Sequence, residues 1–345
     1  MRAKTLSECL RKVRIFAKEN GSVDLTKNVK ISGTEKVITF ICNDGDNYII
    51  ETIKNDMHNP IMGECCIDVF KFSKYIDGLS ADADIKLIIK DTTIQIKGDN
   101  FKSNFNIYPS DRIFPLSQPK EWNEITPEFF QELEHVTINS LDEDTPIINA
   151  FGYLYYANPK ACIILETKFP NFEFMILKKY LKKMNLDDFK YVSINEGRLY
   201  FKNDTCQIAL PLFAGKQIQI VPLIKMIKDK FKYKCYLDNP EIKSIVKMLK
   251  AEANNYTEEK VRLSFSKNAL VITSDFSEIK CNEVTYDGPD VEIIIAKFSL
   301  EFATQNCFKH KITEQICMQI AENATAFVLQ NNDVIYAGSV YRRWE

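Results

Sequence analysis

Two sets of side chains in this sequence have the type and spacing to do chemistry, and both are cationic. Arg11, Arg14 and Lys18 recur at i, i+3 and i+7, and Lys243, Lys247 and Lys250 at i, i+4 and i+7. Either spacing puts the three side chains on one face of a helix. Lys71 and Lys74, then Lys178, Lys179, Lys182 and Lys183, add two further groups, and Lys297 precedes Lys309 and Lys311. Long cationic side chains on a helix face suit attraction to phosphates without any reading of bases. Any one of these faces also reads as an ordinary solvated surface. Their recurrence favours the phosphate reading, because acids collect elsewhere: Glu128, Glu132 and Glu134; Asp142, Glu143 and Asp144; Glu258 and Glu259.

Other chemistries find little support. Asp142, Glu143 and Asp144 could hold a metal for nuclease work, but no histidine or second acidic cluster accompanies them, and a solvated acidic turn is the simpler reading. The ten cysteines include no CxxC pair, and His58, His135 and His310 lie far apart, so nothing has zinc spacing. Free, buried thiols in a reducing compartment are expected. There is no glycine-rich phosphate loop, no GxSxG and no metal-binding histidine pair. Neither a catalytic residue nor a cofactor or metal is expected. Net charge is only -2 over 345 residues, so any basic surface must come from segregation of charge within the fold. No apolar run is long enough for a membrane span, and the cation-rich start, Met1 to Lys18, lacks the apolar stretch of a secretory signal.

The elements that must position the cations repeat. Thr5–Asn20 carries an apolar stripe of Leu6, Leu10, Val13 and Ala17. Pro127–Ser140 opens with Thr126 as N-cap and buries Phe129, Phe130, Leu133 and Val136. Pro240–Asn254 opens with Asp238 or Asn239 and buries Ile242, Ile245, Val246 and Leu249. Their starts are spaced by roughly a domain length, about 115–120 residues. Each is followed by a second helix and a hairpin: Val69–Leu79 before Asp84–Lys90 and Thr93–Lys97; Ile176–Met184 before Phe189–Asn195 and Arg198–Phe201; Lys297–Cys307 before Thr313–Ala321 and Ala324–Leu329. The alternation Ile85, Leu87, Ile89 against Lys86, Ile88, Lys90 marks a sheet with one face on a core. A last hairpin, Gln330–Tyr341, turns at Asn331, Asn332 and Asp333. Turn residues from Phe114 to Pro119 mark one boundary, and the second falls between Val221 and Pro240. Three α+β domains of about 110 residues result, at 1–118, 119–230 and 231–345.

The whole chain resembles the bacterial-type DNA polymerase sliding clamp, the beta subunit family. Three stretches carry the resemblance: Val69–Leu116, whose Phe105–Pro115 run is similar to the family's domain-one ending; Phe172–Leu212; and Ile293–Arg343. The resemblance implies three tandem clamp domains, each with two helices packed on antiparallel sheets, and a head-to-tail homodimer closing a ring around double-stranded DNA. Domain one of one copy would pair with domain three of the other. It implies that Arg11, Arg14, Lys18, Lys71, Lys74, Lys178, Lys179, Lys182, Lys183, Lys243, Lys247 and Lys250 face DNA, with Pro127–Ser140 an acidic exception. It also implies a pocket for short peptides of a replicative polymerase and a clamp loader, walled by Leu154, Thr167, Phe169, Pro222, Ser339, Val340 and Tyr341. The family's closing Met-Pro-Met run is replaced here by Ala337–Glu345, in which Trp344 reads equally as a partner contact or a packed terminal aromatic. A cytoplasmic, membrane-free location follows, in the host cytoplasm if the divergent, Lys-, Ile- and Asn-rich sequence is a phage's. The competing reading is a repeated-domain assembly protein with no DNA function.

Overall fold

The structure, a computed structural model, describes residues 1–19, 24–56, 60–109, 113, 116–140, 142–158, 161–167, 169, 171–182, 184–186, 188–216, 219–255, 259–304, 315–321, 326–331 and 334–341. The element order repeats strand, helix, three strands. It begins with α1 (Ala3–Val13), preceded only by a bridge of Arg2 to Asp84, then β1 (Asn28–Gly33), β2 (Val37–Asn43) and β3 (Tyr48–Lys54). Next come β4 (Gly63–Asp68), α2 (Val69–Asp77), β5 (Lys86–Ile89), β6 (Thr93–Lys97) and β7 (Lys102–Asn106). The third round is β8 (Asn123–Glu124), α3 (Pro127–Asn139), β9 (Pro146–Ala150), β10 (Tyr153–Ala157) and β11 (Ala161–Glu166). The fourth is β12 (Phe174–Leu177), α4 (Lys178–Leu181), β13 (Tyr191–Asn195), β14 (Arg198–Lys202) and β15 (Cys206–Pro211). An additional helix, α5 (Ile220–Lys230), intervenes. The fifth round is β16 (Phe231–Asp238), α6 (Asn239–Glu252), β17 (Lys260–Ser266), β18 (Ala269–Thr273) and β19 (Glu278–Lys280), with a short β20 (Val284–Tyr286). The last is β21 (Val291–Ala296), α7 (Lys297–Thr304), β22 (Gln315–Ala321), β23 (Ala326–Asn331) and β24 (Val334–Ser339). The threefold rhythm legible in the sequence is thus a pair of half-repeats used three times.

The first helix of each repeat buries the same stripe: Leu6, Leu10 and Val13 on α1; Phe129, Leu133 and Val136 on α3; Ile242, Val246 and Leu249 on α6. These side chains sit three and four residues apart, the condition for one helical face on a sheet. Helix starts follow local chemistry. The Asp68 carboxylate accepts from the amides of Phe70 and Lys71, both at 3.0 Å, and that of Asp238 from Glu241 at 2.9 Å. At α3, Thr126 takes the N-cap position without a side-chain bond, and Pro127 presets the first turn.

The chain divides into two compact units, residues 1–125 with 183–212, and residues 126–182 with 213–345. The first contains an eight-stranded antiparallel sheet, β4-β1-β2-β3-β15-β14-β13-β8, and a three-stranded one, β5-β6-β7. α1 packs on β2, β3 and α2. The second contains a nine-stranded sheet, β12-β9-β10-β11-β24-β23-β22-β16-β20, and a four-stranded one, β19-β18-β17-β21. Each large sheet is continuous because two half-repeats join by their last strands: Ile49 pairs with Ile208 where β3 meets β15, and Ile164 with Ile335 where β11 meets β24.

α4 is a single turn where the sequence pattern extends from Ile176 to Met184, and Ile176 belongs to β12. α5 occupies the stretch that the sequence reads as a linker. Pro222 suits its first turn, where no amide needs an intrahelical partner. Ile220, Ile224 and Ile227 bury against Ile148, Tyr155, Ile164 and Val328, closing one face of the nine-stranded sheet. Among the described residues no helix is long and apolar enough to cross a membrane. The described cysteines are free, and all but Cys317 are buried; burial pushes the thiols of Cys42 and Cys65 up to about 12.

Candidate nucleic-acid interface

In the first unit the helix expected over Thr5–Asn20 ends at Val13 and passes into a 3-10 turn, Arg14–Phe16, because Ala17 turns extended, so Lys18 lies beyond the helical face that carries Arg11. Arg11 on α1 is exposed, Arg14 is half-exposed on the 3-10 turn after it, and Lys71 and Lys74 are exposed on α2. Arg14 and Lys74 come together, lining a shallow depression with Phe70, Asp77, Gly78 and Glu19. None of Arg11, Arg14, Lys71 and Lys74 has an acid partner among the described residues. Lys18 is exposed and donates to the Asp44 carbonyl at 3.0 Å. Lys12, between the two arginines, is committed inward. Its ammonium reaches Glu51 Oε1 at 2.9 Å, and that hydrogen bond raises its pKa.

The second unit distributes its lysines differently. On α6, Lys243 is half-exposed and Lys247 exposed, without an acid partner among the described residues, while Lys250 donates to Glu301 at 2.7 Å. On α4 the lysines are engaged. Lys178 turns in to the Ser140 carbonyl at the end of α3, and burial lowers its pKa. Lys179 lies 3.6 Å from Asp144, and Lys182 lies 3.0 Å from Glu143. The Lys182 bond holds the Glu143 carboxyl below its ordinary value. Lys183 lies outside the described residues. Lys297, at the position in α7 that Lys178 holds in α4, is fully buried between Glu259 at 2.7 Å and Glu252 at 3.4 Å. First-position lysines of second-half helices therefore tie the repeat together.

The acidic turn is built for structure. Asp142 accepts from the Thr145 amide at 2.6 Å, the Tyr156 hydroxyl at 2.7 Å and Asn158 Nδ2 at 3.0 Å. Burial raises the carboxyl's pKa, and these bonds outweigh it, bringing it down to about 2. Among the described residues no three His, Cys, Asp or Glu side chains could share a metal ion.

The side chains expected to wall a peptide pocket occupy several neighbourhoods. Leu154 is fully buried, and by strand alternation it lies on the face of β10 opposite Tyr153, Tyr155 and Ala157, which pack under α5. Phe169 stacks at 5.4 Å on both Phe129 of α3 and Phe172. The Thr167 hydroxyl accepts from the Phe169 amide at 3.1 Å. Pro222 is exposed on α5. Tyr341 bridges to Ile294, with the Lys260 ammonium 5.1 Å above its ring, and Val340 beside it is half-buried. The Ser339 side chain and Trp344 lie outside the described residues. Leu154 and Pro222 thus sit on opposite faces of one sheet. Three exposed apolar side chains are not singled out by the sequence: Val221 (51%) and Met226 (38%) on α5, and Phe151 (46%) at the β9–β10 turn, between Ala150 and Tyr153 of the cluster under α5. The i, i+4, i+7 spacing of Ile220, Ile224 and Ile227 is the available signal for α5.

No protein-family model matches the sequence, and a search of curated proteins found no significant match. Solved structures do match. The C. crescentus beta sliding clamp aligns with a TM-score of 0.83 at 15% identity, over 99% of this chain and 98% of that one. The DNA polymerase III subunit beta from Pseudomonas aeruginosa aligns at 0.82 and 12% identity, over 99% of both chains. The Helicobacter pylori beta clamp bound to a DNA ligase peptide aligns at 0.80 and 14%, again over 99% of both. At such identities the likeness is one of architecture, and it runs end to end: the chain has the α+β fold of the bacterial DNA polymerase III beta sliding clamp.

Proposed function

We propose that the chain is a DNA polymerase sliding clamp, a non-catalytic processivity factor whose two copies close a ring around duplex DNA. One observation carries this reading. The third strand of the first half of one repeat pairs with the third strand of the second half of the next: β3 with β15, and β11 with β24. The series leaves one such strand over at each end, β7 from the first repeat and β19 from the third, and each is the outermost strand of its sheet. Pairing β7 of one copy with β19 of another continues the rule, and two copies so joined leave no such third strand unpaired. Closure at two copies follows the sliding-clamp resemblance and is part of the proposal.

In this reading Arg11, Arg14, Lys71, Lys74, Lys243 and Lys247 attract phosphates without sequence preference, which leaves the ring free to slide. A polymerase or loader peptide docks on the apolar margin formed by Phe151, Val221, Pro222 and Met226. The location is the cytoplasm in which replication occurs.

Light scattering after gel filtration, with small-angle scattering, tests the proposal. A mass of two chains with a central hole is expected, and a monomer or an open polymer would sink it. Replacing Arg11, Arg14, Lys243 and Lys247 together with Glu should leave that dimer intact and reduce polymerase processivity. Unchanged processivity would favour an assembly protein without DNA function.

A further inference from the structure

The three repeats do not present the same charge, although they share one element order. Matching the buried stripes aligns Leu10, Leu133 and Val246. The next position outward holds Arg11 on α1, Glu134 on α3 and Lys247 on α6, all exposed. α3 also exposes Glu128 and contains no Lys or Arg. Of the second repeat's paired helices only α4 and the residue after it carry cations, and each described one is held: Lys178 by the Ser140 carbonyl, Lys179 by Asp144 and Lys182 by Glu143. In the first repeat, Arg11, Arg14, Lys71 and Lys74 have no acid partner among the described residues.

From this we infer that the duplex is held by the first repeat and, more weakly, by α6 of the third, and that the second repeat adds no net attraction for DNA. This rests on the clamp reading above. The ion pairs on α4 are exposed and individually weak, so their strength does not decide the matter. Position does. A phosphate senses the sum of charges within about one Debye length, ~8–10 Å in ordinary salt. A lysine with a carboxylate 3.0–3.6 Å away acts there as a dipole, whose field fades faster than that of a lone charge. Glu128 and Glu134 repel outright. In a head-to-tail ring the first repeat of one copy adjoins the third repeat of the other. The cations then gather at the two junctions between copies, and the duplex is drawn toward one or the other of them.

Three variants test this by anisotropy of a short fluorescent duplex titrated across about 50–200 mM salt: Arg11→Glu with Arg14→Glu; the lysine pair removed with its acids, Lys179→Gln, Lys182→Gln, Glu143→Gln and Asp144→Asn together; and Glu134→Lys. Light scattering confirms each dimer first. The arginine pair should bind at least tenfold more weakly, with a log–log salt slope shallower by about 1.8 for two lost phosphate contacts. The lysine pair should bind within twofold of the parent, and Glu134→Lys should bind more tightly with a steeper slope. If the lysine pair loses as much as the arginine pair, or Glu134→Lys gains nothing, a second repeat without net attraction is refuted and the clamp reading survives. If the parent protein shows no salt-dependent binding, or the arginine pair binds like it, the DNA role itself falls.

Discussion

Lys297 shows how far residue type alone can mislead. As one more lysine near a helix start it reads as solvated. In the fold it is fully buried, bonded to Glu259 and Glu252, and its amide donates to the Glu259 carbonyl at 2.9 Å. One side chain thus joins the end of α6, the loop after it and the start of α7. Removing one member of such a set leaves the others uncompensated. Lys297→Met is therefore expected to lower unfolding stability by about 3 kcal/mol, read by urea denaturation at pH 7. The pH dependence carries a second signature. The Lys297 hydrogen bond, aided by the Asn254 and Asn255 amides, draws the Glu259 carboxyl from 4.5 down to about 2. A carboxyl whose pKa is depressed on folding stabilises the protein above its unfolded value, and that contribution is lost as pH falls toward the folded one. The parent should lose stability between about pH 4.5 and pH 2, and this limb should flatten in Lys297→Met. An unchanged acid limb would show that the pair contributes nothing.

At the scale of elements, α5 is where sequence and structure part most. Its Ile224 lies 7% exposed among Ile148, Tyr155 and Ile164. Ile224→Ala is expected to cost about 2–4 kcal/mol, as large-to-small changes in a core do, and a thermal melt by circular dichroism measures it. A cost under half a kilocalorie would mean that α5 is a loosely attached strap. The first helices of the repeats were legible because each bears a long apolar stripe, and Pro127, Asp238 and Pro240 mark the starts of the second and third. The hairpins were legible from alternation, as at Lys86–Ile89 with Thr93–Lys97. α5 was not, since Val221–Pro222 reads locally as a break and only the sheet beneath reveals the inward isoleucines. α4 was overextended because its lysine run prolongs a helical pattern that its own apolar residues do not sustain. Of the candidate site, the exposure of its cations was legible in part. Spacing places Arg11 and Lys247 on exposed faces, but it cannot show that Glu51 claims Lys12 or that the turn after α3 claims Lys179 and Lys182.

At the scale of the whole molecule, the proposal stands or falls on the two unpaired edges. β7 presents Lys102, Asn104 and Asn106 outward and β19 presents Glu278 and Lys280. Charged and polar edge strands resist indiscriminate pairing, so a specific join needs an apolar anchor. In the proposed ring Phe276 would be that anchor. It is 66% exposed, two residues before β19, on a turn fixed by the Ser274 hydroxyl accepting from the amides of Phe276 at 3.2 Å and Ser277 at 3.0 Å. A phenyl ring held out on a rigid turn costs little ordering entropy when it is covered, and covering it contributes about 2 kcal/mol. A two-copy ring contains the junction twice. Phe276→Asp should therefore weaken the dimer by about 4 kcal/mol, roughly a thousandfold in Kd. Because the parent side chain is exposed in the single chain, the variant should remain folded by circular dichroism while its dimer dissociates, in a sedimentation concentration series, at a roughly thousandfold higher concentration. A Phe276→Asp protein that stays dimeric at the parent's Kd would remove β19 from the junction, and with it the pairing rule that closes the ring.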